Sequence, residues 1–200
     1  MLRVGLTGSI GMGKSATAQL LREAGLPVFD SDATVHELYA PGGAAVEPVG
    51  KAFPGVVMDG AIDRTRLSAA LNADPGGFAR LEAIVHPLVN AAREAFVTKQ
   101  AAAGHDIVVF DVPLLFETGG DRHVDSIIVV HAPDDVRRAR VLQRPGMTAA
   151  KLDAIIARQM DDSSKLARAD HVIETSGGLA DASRQVDDII KLLTARAERA

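Results

Sequence analysis

A chain of 200 residues, 47% hydrophobic and 24% charged, has the length of one domain with a single core and too much apolar character to stay disordered. A formal net charge of −4 offers no broad basic face to a nucleic-acid backbone, and the lack of cysteine removes disulfides, thiolate metal sites and thiol nucleophiles. No apolar run approaches the roughly 18 residues of a membrane span and no signal-like stretch precedes the first strand, so a cytoplasmic protein is expected, as a monomer or a small homo-oligomer, and its charge balance suits a small anionic ligand.

Residues 4–6 read as a short apolar strand ended by Thr7-Gly8, and residues 14–24 carry Ala18, Leu21 and Ala24 at helical spacing. Gly25 stops that helix, residues 27–29 form a second strand, and Asp30-Ser31-Asp32 caps the next helix. Residues 33–104 have helical patterning interrupted at Pro41-Gly42-Gly43, Pro54-Gly55, Asp74-Pro75-Gly76-Gly77 and Pro87, and read as a mainly helical insertion. The runs 107–110 and 126–130 are rich in β-branched residues and too short for helices, so they read as buried parallel strands, with 171–173 as a fifth. Residues 134–143 and 148–160 pattern as two helices broken at Pro145-Gly146, with Thr148 as a cap, and this hairpin could act as a lid. Residues 183–197 form a terminal helix whose stripe of Val186, Ile189, Ile190 and Leu193 packs on the sheet.

The strongest chemical signal is Gly8-Ser9-Ile10-Gly11-Met12-Gly13-Lys14-Ser15. Glycines let the main chain turn its N–H groups inward on phosphate oxygens, Lys14 brings a positive charge to the β- and γ-phosphates, and the Ser15 hydroxyl is a ligand for Mg²⁺. The positive end of the helix that starts here adds its field. A glycine-rich turn can spell the pattern by accident, but this one follows a strand and opens a helix, as ATP binding requires. A regulatory GTPase would carry Asn-Lys-x-Asp, which is missing, and no buried strand leads into the Asp-x-x-Gly letters at residues 74–77. A motor ATPase needs a longer chain, which leaves a small-molecule kinase.

The sequence resembles the dephospho-CoA kinase family over nearly its whole length. The resemblance rests on Gly5-Leu6-Thr7-Gly8 through Lys14-Ser15, Asp30-Ser31-Asp32, Asp63-Arg64 with Leu67, Leu81 with His86-Pro87, and residues 112–117. Gln143-Arg144, residues 157–160 and Ala169-Asp170 before Val172-Ile173 complete it. It implies an α/β fold: a three-layer P-loop kinase domain over residues 1–200 with a parallel five-stranded sheet, a helical CoA-binding insertion at 33–104 and a helical lid at 137–160. It also implies ATP and Mg²⁺ as cofactors and transfer of the γ-phosphoryl of ATP to the ribose 3′-hydroxyl of dephospho-CoA. Two departures stand out. Ala16 takes the place of a Thr that could touch the α-phosphate, while Thr17 faces about 100° away, and residues 174–177 lack the Asn-containing turn of many relatives.

By this resemblance Asp32 is the catalytic carboxylate that orients the acceptor hydroxyl, whereas Asp30 is a cap. Gly8, Gly11, Met12, Gly13, Lys14, Ser15, Ala16 and Arg144 are expected at the nucleotide, with Lys14 and Arg140 stabilising transferred charge. Arg137, Arg140 and Arg144 share a helical face, and Arg137 is expected in solvent. Thr7, Arg64, His86 and Leu114 are candidate substrate contacts. Asp111, at a strand's carboxyl end, could hold a magnesium-bound water or make a structural hydrogen bond. His36 and Tyr39 read as packing or rim residues. Two other readings stay open: a P-loop kinase with a nucleotide or nucleoside acceptor, and a nucleotide-binding scaffold without turnover.

Overall fold

The computed structural model describes residues 1–199. β1 (Leu2–Thr7) turns Leu2, Val4 and Leu6 to one face, and the helix that follows its loop, α1 (Lys14–Glu23), lays Ala18, Leu20 and Leu21 on the same core. β2 (Val28–Asp30) runs into α2 (Ser31–Tyr39), and then come α3 (Val46–Ala52), β3 (Val57–Met58), β4 (Ala61–Ile62), α4 (Arg64–Ala73) and α5 (Gly77–Ala102). β5 (Ile107–Asp111) and β6 (Ser126–His131) precede α6 (Asp134–Leu142), α7 (Ala149–Ile156) and α8 (Asp162–Ala167), and β7 (His171–Glu174) and α9 (Leu179–Ala197) close the chain.

Five of the strands form one sheet in the order β2-β5-β1-β6-β7, and β3 and β4 pair separately. β1 pairs in parallel with β5 and β6, and β6 with β7. The register sets Leu2 beside Ile107, Val4 beside Val109 and Leu6 beside Asp111, so the alternating apolar residues of adjacent strands share one face. On that face α1 and α9 bury Leu21, Val186, Ile189 and Leu193. The chain divides into two compact units, one of residues 1–29 with the segment from Gln100 onward, the other Asp30–Lys99. The second has its own core of Tyr39, Val49, Phe53, Ile62, Leu67, Leu71 and Val85.

Four elements differ from the sequence reading. Pro87 interrupts nothing: α5 runs through it, because a proline costs one backbone bond and the packed Ile84, Val85, Leu88 and Val89 around it hold the helix together. Within residues 33–104 a small antiparallel hairpin joins β3 to β4 through Asp59-Gly60, both at positive φ, the pair favoured in a two-residue hairpin turn. The helix expected over 148–160 is capped by Thr148 but stops at Ile156, because Asp161 caps a new helix, α8, by accepting from the Ser164 N–H at 2.8 Å. The terminal helix starts at Leu179, before its apolar stripe, where Asp181 suits the positive helix end. Among the described residues no helix is long and apolar enough to cross a membrane.

Candidate active site

The loop from Gly8 to Gly13 leaves the carboxyl end of β1 and delivers Lys14 as the first residue of α1. Gly13 caps that helix at φ 95° with no side-chain cap bond, so the first N–H groups of α1 stay open to an anion. Gly11 also has positive φ, and a Cβ there would stand 2.5 Å from Val141 Cγ2, so the bend excludes a side chain on both counts. Gly8 lies against the Val130 carbonyl. The Met12 side chain is buried, its sulfur accepting from the Ala132 N–H at 3.1 Å, which leaves its backbone as the part that serves the loop.

The Leu6–Asp111 register places the Asp111 carboxylate at the strand ends next to the loop, and Lys14 forms an ion pair with it. Of the two readings left open for Asp111, the structural bond is therefore occupied, by a residue of the phosphate loop itself. Ser15 and Ala16 are exposed on the first turn of α1, while Thr17 is buried and donates its hydroxyl back to the Gly13 carbonyl at 3.3 Å. Thr17 thus cannot replace the hydroxyl that Ala16 lacks.

Arg140, on α6, donates to Thr175 Oγ1 at 2.8 Å and to the Thr175 carbonyl at 2.7 Å, with a longer 3.5 Å contact to the Gly11 carbonyl. Thr175 Oγ1 lies 2.7 Å from the Met12 carbonyl, to which it donates. The segment that lacks the Asn-containing turn therefore clasps the loop, a role for Thr175 that the sequence reading missed. Arg144 lies two residues past α6 and is exposed. Leu115 and Phe116 are core residues, but Leu114 is 42% exposed and free to meet a ligand.

Two expectations are corrected. Thr7 has no exposed surface and donates its hydroxyl to the Pro113 carbonyl at 3.1 Å, so it holds the 112–116 turn and cannot donate to a substrate. Arg137 is not a solvated side chain: it is buried between Asp134 and Asp162, the latter at 2.8 Å. Desolvating a guanidinium is costly, and the two carboxylates offset it.

In the Asp30–Lys99 unit, Asp30 caps α2 by accepting from the Ala33 N–H at 2.9 Å, as its position at the end of β2 led one to expect. Asp32 is exposed in the first turn of α2. His36 is exposed and Tyr39 is buried; burial raises the Tyr39 hydroxyl pKa, opposed by the nearby charge of Arg64. Arg64 begins α4 behind the Asp63 cap with its side chain exposed, and His86 is exposed on α5.

A second cluster escaped the sequence reading. Lys165 on α8 is 1% exposed, with its ammonium 3.0 Å from Glu117 Oε1 and 3.2 Å from Ser9 Oγ. Burial alone would raise the Glu117 carboxyl pKa, but bonds from the Met160 amide and from Lys165 outweigh it and hold the group below its usual value. These partners lie up to 156 residues apart, and no local pattern announces such a pairing.

The family model for dephospho-CoA kinase matches residues 2–181. A dephospho-CoA kinase of Mesorhizobium japonicum is 53% identical over 190 residues, 95% of each chain. One of Paramagnetospirillum magneticum is 56% identical over 162 residues, 81% of this chain and 76% of that one. Among solved structures, TT1252 from Thermus thermophilus superposes with a TM-score of 0.80 at 33% identity, covering 96% of this chain and 97% of that one. A dephospho-CoA kinase from Campylobacter jejuni gives 0.64 at 20% identity over 94% and 95% of the two chains, a likeness of fold. An uncapped helix behind a glycine loop, with its lysine held ready at the strand ends, and a sequence match that extends far beyond that loop lead to one assignment: the chain belongs to the dephospho-CoA kinase family.

Proposed function

We propose that this chain transfers the γ-phosphoryl group of ATP to the ribose 3′-hydroxyl of dephospho-CoA, giving CoA and ADP, through the residues assembled around the Gly8–Ser15 loop. The observation that carries the reading is the open amino end of α1 with Lys14 set at its first position. Main-chain N–H groups of residues 13–15 grip the phosphates, and Lys14 leaves Asp111 to follow the β- and γ-oxygens. Arg140 is the second cation for the charge that spreads over the transferred group.

Ser15, exposed on the first turn of α1, is the residue that would hold a Mg²⁺ ion brought with the nucleotide. When bound, Mg²⁺ neutralises charge between the β- and γ-phosphates.

Asp32, exposed in the first turn of α2, accepts a hydrogen bond from the attacking hydroxyl and aims its oxygen. In a loose transition state the hydroxyl proton leaves late, so orientation matters more than base strength. Arg64, His86 and Leu114 are the exposed contacts offered to the CoA moiety, with residues 33–104 as the substrate-binding part. Residues 137–160 carry Arg140 and Arg144 over the nucleotide as a lid that excludes water.

The test is acceptor competition with ATP and Mg²⁺: dephospho-CoA should be phosphorylated far faster than AMP, adenosine or shikimate. Preference for AMP or adenosine would move the assignment to a nucleotide or nucleoside kinase. Asp32→Asn should keep ATP binding and lose turnover by roughly 100-fold or more; near-normal turnover would remove Asp32 from the mechanism.

A further inference from the structure

The phosphate loop is fastened by two separate sets of partners. Its second half is held from Thr175, Arg140 and Thr17, which bond the carbonyls of Met12, Gly11 and Gly13. Its first half is held by a single stretch that follows α7. Ser9 Oγ donates to Asp162 Oδ1 at 2.7 Å and accepts from Lys165 Nζ at 3.2 Å, and the Ile10 N–H donates to Gln159 Oε1 at 3.1 Å. Ser9 is 5% exposed, so its hydroxyl faces protein and its donor and one acceptor position are both taken by ionised partners.

Burying an ammonium to this depth costs several kcal/mol unless charges and hydrogen bonds offset it. Glu117 supplies the charge and accepts one of the three ammonium N–H bonds. The additional bond to Ser9, with Asp162 anchored on its far side by Arg137, extends the ionic chain into the phosphate loop. Such a chain resists rotation of the Ser9 side chain in either direction, because turning it away takes an acceptor from the buried Lys165 ammonium and a donor from the Asp162 carboxylate.

We propose that Lys165 is a positioning residue for phosphoryl transfer, acting through Ser9 to fix the first half of the loop while the second half sets the grip on nucleotide. The inference rests on the kinase reading above. The hydrogen bonds that hold the first half end on Ser9 and Ile10, ahead of the Gly13–Ser15 amides. Loosening Ser9 therefore spares ATP affinity but lets the reacting phosphoryl wander, and misplacement of about 1 Å can cost up to roughly 100-fold in rate.

The decisive variant is Ser9→Ala, which removes one hydroxyl and leaves the Lys165–Glu117 and Arg137–Asp162 pairs in place. Its kcat for dephospho-CoA should fall roughly tenfold or more while KM for ATP shifts less than about threefold. Lys165→Arg should recover most of the activity lost in Lys165→Met, and Ser9→Ala should add little to the loss in Lys165→Met, since both cut one chain of contacts. Wild-type kcat in Ser9→Ala, or a rise in KM for ATP that accounts for the whole defect, would overturn the proposal. If Lys165→Met does not fold, the Ser9→Ala result decides by itself. Wild-type protein assayed alongside separates the two levels: with wild-type transfer present, a silent Ser9→Ala sinks only this inference, and with none, both readings fall.

Discussion

Lys14 and Asp111 form an ion pair that joins the start of α1 to the end of β5 across 97 residues of sequence. The parallel register of β1 and β5 sets this meeting, since Asp111 stands beside Leu6, one residue before the end of the strand that feeds the loop. The pair stores the lysine at its place of use and sets a cation against the Asp111 carboxylate, which is 6% exposed.

Lys14→Met should abolish transfer and also destabilise the protein by about 3 kcal/mol, because it removes the cation that offsets the desolvation of the Asp111 carboxylate. Adding Asp111→Asn should restore most of that stability and none of the activity. Urea denaturation midpoints with turnover measured on both variants separate the two effects. A double variant as unstable as Lys14→Met would show that the pair is not the source of the loss.

Thr175→Val keeps the shape of the side chain but deletes the hydroxyl that reaches the Met12 carbonyl and receives Arg140. Leaving those buried groups unsatisfied should cost about 1–3 kcal/mol. KM for ATP should rise with it, since Gly13 and the amino end of α1 lie just beyond Met12. Calorimetric titration with a nonhydrolysable ATP analogue reads the affinity, and unchanged binding would take Thr175 out of the nucleotide site.

Gly11→Ala should lose ATP binding outright. The new Cβ meets Val141 and Arg137, and the positive φ is strained for any side chain, so the loop must reshape. Retention of wild-type affinity by this variant would contradict the loop geometry.

Glu117 predicts a pH signature. Its carboxyl pKa is lowered in the folded protein from an ordinary 4.5, so folding favours the ionised form. The stability it contributes is full above that ordinary value and is lost as pH falls through the depressed folded value. The stability gap between wild type and Glu117→Gln should therefore be widest near neutrality and narrow on acidification. Denaturation curves at several pH values check this, and a gap that does not change with pH would rule out the ionised Glu117–Lys165 pair as its source.

The hairpin turn at Asp59-Gly60 and the start of α9 at Leu179 show where pattern reading stopped short. The first was hidden because a two-residue strand offers no alternation to read, and the second because a polar first turn carries no apolar stripe. Pro87 misled in the opposite direction, since the rule that proline breaks helices is local and the packing around α5 is not.

By itself the sequence determined what depends on near neighbours. It carried the period-two and period-3.6 patterns, the strand–glycine loop–helix unit, the caps at Asp30 and Thr148, and enough ordered motifs to name a family. Only the tertiary structure decided which side chains meet: Asp111 with Lys14, Thr175 with Met12 and Arg140, and Lys165 with Ser9 and Glu117. The reason is physical. Propensity and periodicity act over a few residues, whereas a buried charge takes the partner that the sheet register and helix packing bring to it, however far away in the chain.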